Sequence, residues 1–495
     1  MSKLYLTLIT LFALHVGHTQ NSSPPQPAVD VDSIAALIQE SFDLPGLAVG
    51  ILLDGEVYYA GAPGVQGLDT EVPMSTSSLF HMASVSKPFV ATAIMQLVEA
   101  GKVNLEDKVI DHLPYFKMAD ENYRNITIKQ VLNHSSGIPD VEDYEWDNPQ
   151  LDDGAAERYV RSFGEDQLDF VPGTDFSYSN ASFDIMADLI AKVSGMTFEE
   201  YMTRRIFEPA GMKNSTFLKP DVPAALATQP HGMDDQLQMT VLETYPYNRI
   251  HAPSSTLHSN VEDMMQWAKL YVNQGELDGQ QIFSKESYAL LTTPTIEFDE
   301  TEGVCLSWFT DEWKGKRIYS HSGGDDGYRT FFGFFPEEKA AVVVMANSEH
   351  FYSGRAAWYL ANQFITGEPS PWTKFIHFEL KDLILTEGIA SCKARYLDIQ
   401  ENMPDQYELG GGYIDQLGYW LLDKGKNQEA LDIFLFNVEL RPDEAGWYDS
   451  VGDAYIAMEN KVKAIEWYEK ALEINPEQDF TIEKLKELQG EENGQ

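Results

Sequence analysis

Short apolar runs lie near both ends of the first two-thirds of the chain, and they predict strands. Runs at 46–53 and 57–61 flank Asp54-Gly55, a dipeptide typical of tight hairpin turns. A second pair of runs, at 328–335 and 340–346, brackets a short polar segment that begins with a proline. The pattern therefore predicts one hairpin early in the chain and another about 270 residues later.

Longer stretches between these hairpins have the periodicity of helices, for example 84–100 and 183–193, and a further helix fits 31–42. Strands at both ends of a domain with helices between them indicate one antiparallel sheet that both ends of the chain complete. We therefore expect an α+β domain with helical layers over residues 30–365.

The last hundred residues contain a repeat with a spacing of 34 residues. Small, aromatic and proline positions recur in one register: Gly418 with Gly452, Ala430 with Ala464, Phe434 with Tyr468, and Pro442 with Pro476. This pattern resembles the tetratricopeptide repeat, a helical pair with a small residue at the crossing. We expect an all-α module of two repeats over 406–488, with a capping helix at 479–488.

Two repeats and a cap are fewer than the three that usually fold alone. The module is therefore expected to pack on the first domain, or on the helical linker at 366–405. Its repeats also make a protein partner possible.

The first twenty residues have the pattern of a secretory signal. Lys3 is followed by an apolar run at 4–16 and by the small residues Gly17 and Thr19. The run is too short to anchor the chain in a bilayer, and no cysteine follows it to carry a lipid. We expect residues 1–20 to be removed and the mature protein to be periplasmic or secreted, without a membrane span.

The formal net charge of −43 disfavours nucleic acid, which is bound through clustered Lys and Arg, and anionic membranes. Two cysteines, Cys305 and Cys392, are too few for a disulfide framework or a zinc site, and whether they pair is left open. The eleven histidines show no metal-ligand spacing. Neither a metal nor a cofactor is expected.

Ser84 and Lys87 lie three residues apart at the start of a predicted helix. A serine hydroxyl is a poor nucleophile at neutral pH and needs a neighbouring base. A lysine one turn later lies on the same helix face, where burial lowers its pKa and lets a neutral amine accept the proton. The pair predicts a serine nucleophile with a lysine base, although its spacing alone is also that of an ordinary helix start.

Tyr178 and Asn180 follow a Pro-Gly turn and precede a new helix. A tyrosine held near a cation can act as a phenolate or as a proton relay, and an asparagine can orient a lysine or a substrate. The same Tyr-x-Asn spacing occurs at Tyr123 and Tyr271, but neither of these follows a Pro-Gly turn and precedes a new helix. We therefore assign the catalytic position to Tyr178.

His321, Ser322, Gly323 and Gly324 come at the end of a strand predicted at 317–320. Glycines there would let a substrate approach the backbone closely. The N–H groups of Gly324 and Ser84 could then form an oxyanion hole. Taken alone, His321 could equally be a surface histidine before a glycine turn.

These three elements resemble the serine β-lactamase and penicillin-binding-protein superfamily, whose motifs are SxxK, a middle Tyr/Ser-x-Asn and a Lys-Thr-Gly strand. The segment 126–137 and the strand at 318–324 are similar to its class C branch, which includes esterases and D-aminopeptidases. The resemblance implies that Ser84 is the nucleophile, that Lys87 and Tyr178 share acid and base work, and that Asn180 and the 321–324 strand line the substrate site. It implies a structural role for His134.

Two positions depart from the family pattern: His321 stands where β-lactamases carry a lysine, and the segment 253–257 replaces a glycine-rich one. A mostly neutral histidine gives no permanent cation for a substrate carboxylate. We therefore expect a hydrolase of esters, lactones or short peptide amides that acts through an acyl-enzyme. The alternatives are a non-catalytic binding protein with this fold, and a true β-lactamase or D,D-carboxypeptidase.

Overall fold

The computed structural model describes residues 30–492, so the predicted signal segment at 1–20 lies outside the described residues. The strands are, in chain order, β1 (Leu47–Leu53), β2 (Glu56–Gly61), β3 (Phe80–His81), β4 (His231–Met233), β5 (Met239–Val241), β6 (His258–Ser259), β7 (Glu276–Leu277), β8 (Gln280–Gln281), β9 (Ile296–Glu297), β10 (Gly303–Val304), β11 (Phe309–Trp313), β12 (Lys316–Asp325), β13 (Tyr328–Phe335), β14 (Ala340–Ala346), β15 (Lys374–Phe375) and β16 (Tyr407–Glu408). Eight of them form an antiparallel sheet in the order β2-β1-β14-β13-β12-β11-β10-β9.

The two ends of the first domain meet as neighbouring strands of this sheet, because β1 pairs with β14 from Leu47 opposite Ala346 to Leu52 opposite Ala341. Both predicted hairpins are present. The β1–β2 turn has Asp54 and Gly55 at φ values of 52° and 78°, the left-handed geometry that such a dipeptide favours. The predicted α+β sheet completed by both chain ends is confirmed.

Both faces of the central strands are covered, which explains their continuous apolar runs. Val49 and Val344 belong to a core cluster with α1 (Val31–Ser41) and with the helix Ser353–Phe364. Leu52 and Val343, on the opposite face, belong to a larger cluster with the helical half of the domain. The sheet is thus the middle layer between two helical layers.

The helices of the first domain agree with the predicted pattern apart from their ends. The predicted 84–100 helix begins with a 3₁₀ turn, Ala83–Ser86, and becomes α-helical at Lys87. A π-helical turn, Thr203–Phe207, follows the helix Phe198–Met202. The α-helices are α1, α2 (Lys87–Glu99), α3 (Val109–His112), α4 (Ile128–Leu132), α5 (Ala155–Ser162), α6 (Asn180–Ser194), α7 (Phe198–Met202), α8 (Ala252–Ser255), α9 (Val261–Val272), α10 (Lys285–Thr292) and α11 (Ser353–Phe364).

The C-terminal module is helical, as predicted, apart from the two-residue strand β16 at its start. The linker forms a helical pair, and the two repeats and the cap follow it. These helices are α12 (Ile376–Thr386), α13 (Ile389–Asn402), α14 (Gly411–Asp423), α15 (Asn427–Leu440), α16 (Ala445–Ala457), α17 (Lys461–Ile474) and α18 (Asp479–Glu492).

The residues that recur every 34 positions meet at the helix crossings. A Cβ added to Gly418 would lie 2.2 Å from the Phe434 ring, and one added to Gly452 would lie 2.3 Å from the Tyr468 ring. Only glycine lets the second helix of each repeat approach so closely. The predicted packing of an aromatic ring against a small residue is therefore observed in both repeats.

The module packs on both expected surfaces. Its core includes residues of the linker helices, and it also includes Met233 and Leu237 from the β4–β5 hairpin of the first domain. Cys305 and Cys392 are both buried and both free. Among residues 30–492, no helix is long and apolar enough to cross a membrane.

Candidate active site

Ser84 lies on a strained turn between β3 and α2. Ala83, just before it, has φ = 48°, a left-handed conformation that is uncommon for a residue with a side chain. The Met82 carbonyl accepts a hydrogen bond from Thr330 Oγ1 (2.8 Å), and Ser86 Oγ accepts one from the Leu257 N–H (3.0 Å). These contacts hold the turn on both sides and leave Ser84 partly exposed at the start of the helix.

Lys87 is fully buried, and its amine contacts three groups of the site. Nζ lies 3.0 Å from Ser84 Oγ, 2.6 Å from Asn180 Oδ1 and 2.8 Å from the Ser254 carbonyl oxygen. Burial lowers the pKa of Lys87 to about 7, although nearby carboxylates, that of Asp184 above all, act in the opposite direction. A substantial fraction of this amine is therefore neutral at neutral pH.

Tyr178 covers the amine: Lys87 Nζ lies 4.9 Å from the centre of its ring. Another neighbour of the ring is His134, which stacks on it at 4.2 Å and accepts the Ser179 N–H on Nδ1 (3.1 Å). Burial raises the pKa of Tyr178, while the Ser84 hydroxyl lowers it by a smaller amount. The phenol therefore keeps its proton at neutral pH. His134, expected to be structural, fixes the position of this ring.

Asn180 is oriented by Asp140, a residue that the sequence patterns did not indicate. Asp140 accepts the backbone N–H of Asn180 (2.6 Å) and its side-chain NH₂ (3.2 Å). The amide oxygen of Asn180 is consequently turned towards Lys87. Asn180 also begins α6, which Ser179 caps by accepting the Ser182 N–H.

The motif at 321–324 lies within a strand and does not follow it, because β12 runs from Lys316 to Asp325. The predicted strand end at Ser320 is wrong for the pairing with β13, but it marks where β11 stops pairing with β12. Beyond Ser320, β12 has a strand on one side only among the described residues. The backbone of 321–325 therefore forms a free edge beside the site.

Gly323 has a different role from the one expected. A Cβ at this position would lie 2.3 Å from the Met82 carbonyl oxygen, so the glycine permits close approach of the Ser84 turn. Ser322 and Gly324 are exposed. His321 is buried, and its Nδ1 donates to the Ser322 carbonyl (2.7 Å). Burial and the charge of Lys87 lower the pKa of His321 to about 3, so the imidazole is neutral.

Ser254 belongs to the segment that departs from the family pattern, and its carbonyl is one of the three partners of Lys87. Asp184 holds this segment in place by accepting the Ser254 N–H (3.1 Å) and bonding with His251 Nδ1 (2.6 Å). The two other Tyr-x-Asn tyrosines are core residues: Tyr123 is 4% exposed, and Tyr271 is fully buried against Thr92. Among residues 30–492, no group of three or more His, Cys, Asp or Glu side chains could hold a metal ion.

Comparison with known proteins identifies the family of this chain. The family model described as Beta-lactamase matches residues 34–364, more than half of the chain. The chain belongs to the β-lactamase family. Members of this family are serine hydrolases. The model described as Tetratricopeptide repeat matches residues 445–478, in the second of the two observed repeats.

The chain is also similar to individual proteins of the family. It is 29% identical to the protein flp of Staphylococcus aureus strain MW2, over 68% of this chain and 66% of that protein, so it spans just under two-thirds of that relative. It is 28% identical to penicillin-binding protein 4 of Amycolatopsis lactamdurans, over 62% of this chain and 84% of that protein. The solved structure of an octameric penicillin-binding protein homologue from Pyrococcus abyssi superposes with a TM-score of 0.62 and 28% identity, covering 69% of this chain and 78% of the other.

Proposed function

We propose that the protein is an exported serine hydrolase that cleaves ester, lactone or short peptide amide bonds through an acyl intermediate on Ser84. The observation that carries the proposal is the amine of Lys87, which is buried, has a pKa of about 7 and lies 3.0 Å from the Ser84 hydroxyl oxygen. A neutral amine at that distance can accept the hydroxyl proton. A binding protein would have no need of such an amine.

Acylation then proceeds in two steps. Ser84 Oγ loses its proton to Lys87 and bonds to the substrate carbonyl carbon, while the carbonyl electron pair moves onto oxygen. The N–H of Ser84 has no acceptor among the described residues, so it is free to donate to this oxyanion, together with the N–H of Gly324 on the free edge of β12. Collapse re-forms the carbonyl and expels an alcohol or amine, which takes up the proton.

Tyr178 serves as the relay for that proton. Its raised pKa argues against a standing phenolate, so the phenol passes one proton to the leaving group as it receives another from Lys87. Water then attacks the acyl ester by the same route in reverse. This step releases the carboxylic acid and restores the Ser84 hydroxyl.

The neutral state of His321 bears on the substrate. A lysine there would offer a permanent cation to the carboxylate of a penicillin or of a peptide end, whereas a buried imidazole with a pKa of about 3 offers none. The proposed substrates are therefore uncharged near the scissile carbonyl. Export rests on the pattern of residues 1–20, and a protein partner for the helical repeats rests on their family.

A labelling experiment tests the proposal. The mature protein is incubated with a fluorophosphonate and, separately, with a penicillin, and any adduct is located by peptide mass spectrometry. We expect the fluorophosphonate on Ser84, no adduct with Ser84→Ala, and normal labelling with the control Ser77→Ala, whose hydroxyl contacts Glu262 at the surface.

Other outcomes select the alternatives. If the wild-type protein stays unlabelled over the whole pH range while folded, the binding-protein alternative replaces the hydrolase. A penicillin adduct that forms and turns over would instead identify a β-lactamase. N-terminal sequencing of the protein recovered from the medium or periplasm tests the cleavage near residue 20.

A further inference from the structure

Asp325, immediately after Gly324 on β12, contacts two other segments of the site. One of its carboxylate oxygens bonds with His81 Nε2 at 2.7 Å and accepts a short hydrogen bond from the hydroxyl of Ser255. The Ser255 hydroxyl also lies 3.3 Å from His81 Nε2. The His81 side chain is fully buried, and that of Asp325 is only 11% exposed.

The effect of this contact depends on which segments of the chain it joins. His81 ends β3 and precedes Ser84 by three residues, and Asp325 follows Gly324 directly. The His81–Asp325 bond therefore ties together the two segments that carry the N–H donors of the proposed oxyanion hole. Ser255 adds a third segment, because its neighbour Ser254 supplies the carbonyl that accepts from Lys87.

We infer that the His81–Asp325–Ser255 cluster is a positioning device that sets the separation of the Ser84 and Gly324 N–H groups, and thereby controls stabilisation of the oxyanion. The inference rests on the proposed function. None of the three side chains takes part in the proton transfers assigned to Lys87 and Tyr178. Apart from the influence of the Asp325 charge on the pKa of Lys87, the cluster acts on the reaction through the backbone groups next to it.

The other contacts around the site do not fix the separation of the Ser84 and Gly324 N–H groups, so this separation depends on the cluster. The Ser84 turn touches β12 at Gly323, where the backbones are in direct contact, and it touches β13 through the hydroxyl of Thr330. Both contacts involve Met82, on one side of Ser84. Gly324 pairs with Arg329 of β13 on one side, but no strand contacts it on the free edge of β12 beyond Ser320. On that side, the bond from His81 to Asp325 restrains the strand relative to the Ser84 turn.

The expected effect is on turnover rather than on binding. Loss of one oxyanion donor lowers kcat by about 10²–10³-fold, and a displacement of about 1 Å costs about 10²-fold. We therefore expect His81→Ala to lower kcat for a neutral ester by about 10²-fold with KM changed less than about three-fold. Affinity for a boronate that mimics the tetrahedral state should fall in parallel. His81→Gln, which keeps a donor, should recover part of both.

Comparing Asp325→Asn with His81→Ala separates the positioning effect of the cluster from the effect of the Asp325 charge on Lys87. The carboxylate of Asp325 helps to raise the pKa of Lys87, so this variant should lose turnover and also shift the acidic limb of the pH profile to lower pH. His81→Ala keeps the carboxylate and should leave the limb in place. Asp326→Asn is the matched control: it removes an equal charge from the next residue, whose exposed side chain makes no hydrogen bond among the described residues, and it should leave kcat unchanged.

The outcomes are distinguishable. If His81→Ala and Asp325→Asn label at Ser84 with wild-type rates and keep boronate affinity within about three-fold, the positioning role is refuted while the hydrolase stands. Thermal melting of every variant, with Ser255→Ala as the mildest change, separates misfolding from misplacement: a folded variant with normal boronate affinity counts against the inference. Failure of the wild-type protein to label refutes the proposed function and this inference with it.

Discussion

The pH dependence of acylation reports the protonation of Lys87 and tests the central chemical argument. With a pKa of about 7, the amine is about half neutral at pH 7, whereas at the ordinary value of 10.5 only about one molecule in 3000 would be. Burial thus increases the reactive fraction about 1500-fold at pH 7. We expect kcat/KM for a neutral ester to rise through pH 7 and level off above about pH 8, since the neutral form is the active one.

Asp184→Asn perturbs this equilibrium without removing a contact to the substrate. The carboxylate of Asp184 makes the largest electrostatic contribution that raises the pKa of Lys87, so its neutralisation should move the acidic limb to lower pH. At pH 6 the wild-type amine is about one-tenth neutral, so the rate there can rise by at most about ten-fold while the plateau stays level. In this variant the side-chain amide oxygen at position 184 can still accept a hydrogen bond from the Ser254 N–H, as the Asp184 carboxylate does at 3.1 Å.

The assay is the second-order rate of fluorophosphonate labelling from pH 5 to pH 10, read by mass spectrometry at Ser84. Asp188→Asn is the control: it lies one turn further along α6, where its carboxylate accepts from Tyr115 and is not among the charges that act on Lys87. A wild-type limb near pH 10 would refute the assignment of Lys87 as a base of lowered pKa. A limb that Asp184→Asn moves upward would refute the electrostatic reasoning.

Three further predictions concern the lysine base and the repeat module. Lys87→Met should reduce the rate of Ser84 labelling by about 10²–10⁴-fold and remove the acidic limb of its pH profile, which a time course of quenched samples would measure. A normal labelling rate would refute the role of Lys87 as the base. Gly418→Val should lower the free energy of unfolding of the repeat module by about 1–3 kcal/mol in denaturant unfolding, because the Phe434 ring occupies the space that the new side chain needs. Gly412→Ala is the control on the same helix. Its new methyl group meets nothing within 4 Å, so it should raise the free energy of unfolding by about 0.5 kcal/mol. Burial raises the pKa of Asp415 to about 7, and its Oδ1 has no partner among the described residues. The folded protein therefore favours the protonated carboxyl group, and its stability falls as the pH rises from about 4 to 7. Asp415→Asn should therefore melt higher than wild type at pH 8 and equally near pH 4; an equal difference at both values would contradict this assignment.

The strands and repeats could be predicted because their signals are local. β1 and β14 are buried on both faces, so their apolar runs are unbroken, and the turn between β1 and β2 has the residues that its geometry requires. The 34-residue repeat is visible because Gly418 and Gly452 each face an aromatic ring on the next helix. Where a strand's length depends on its partners, prediction was less accurate: β12 continues through His321 because β13 pairs with it as far as Asp325.

The residues of the site also divide into those with a local sequence signal and those without one. Ser84 and Lys87 are three residues apart, and Tyr178 and Asn180 form one motif, so a single sequence reveals them. The carboxylates that orient them do not share a motif with their partners. Asp140 is 40 residues from Asn180, and Asp325 is 244 residues from His81. Only folding brings each pair together, and an isolated aspartate in a chain with 78 acidic residues carries no signal of its own.

The contact between the two modules shows why docking is harder to predict than either fold. Residues 234–238, Asp-Asp-Gln-Leu-Gln, have the composition of an exposed polar turn. Leu237 is nevertheless fully buried, in the same core cluster as Leu380 of the linker helix, and its carbonyl accepts from Lys381 Nζ at 3.4 Å. A single apolar residue in a polar turn has no periodicity, so its partner about 140 residues later could not be inferred. The buried leucine also accounts for how a module with only two repeats is held: the first domain supplies part of the apolar surface that a third repeat would otherwise cover.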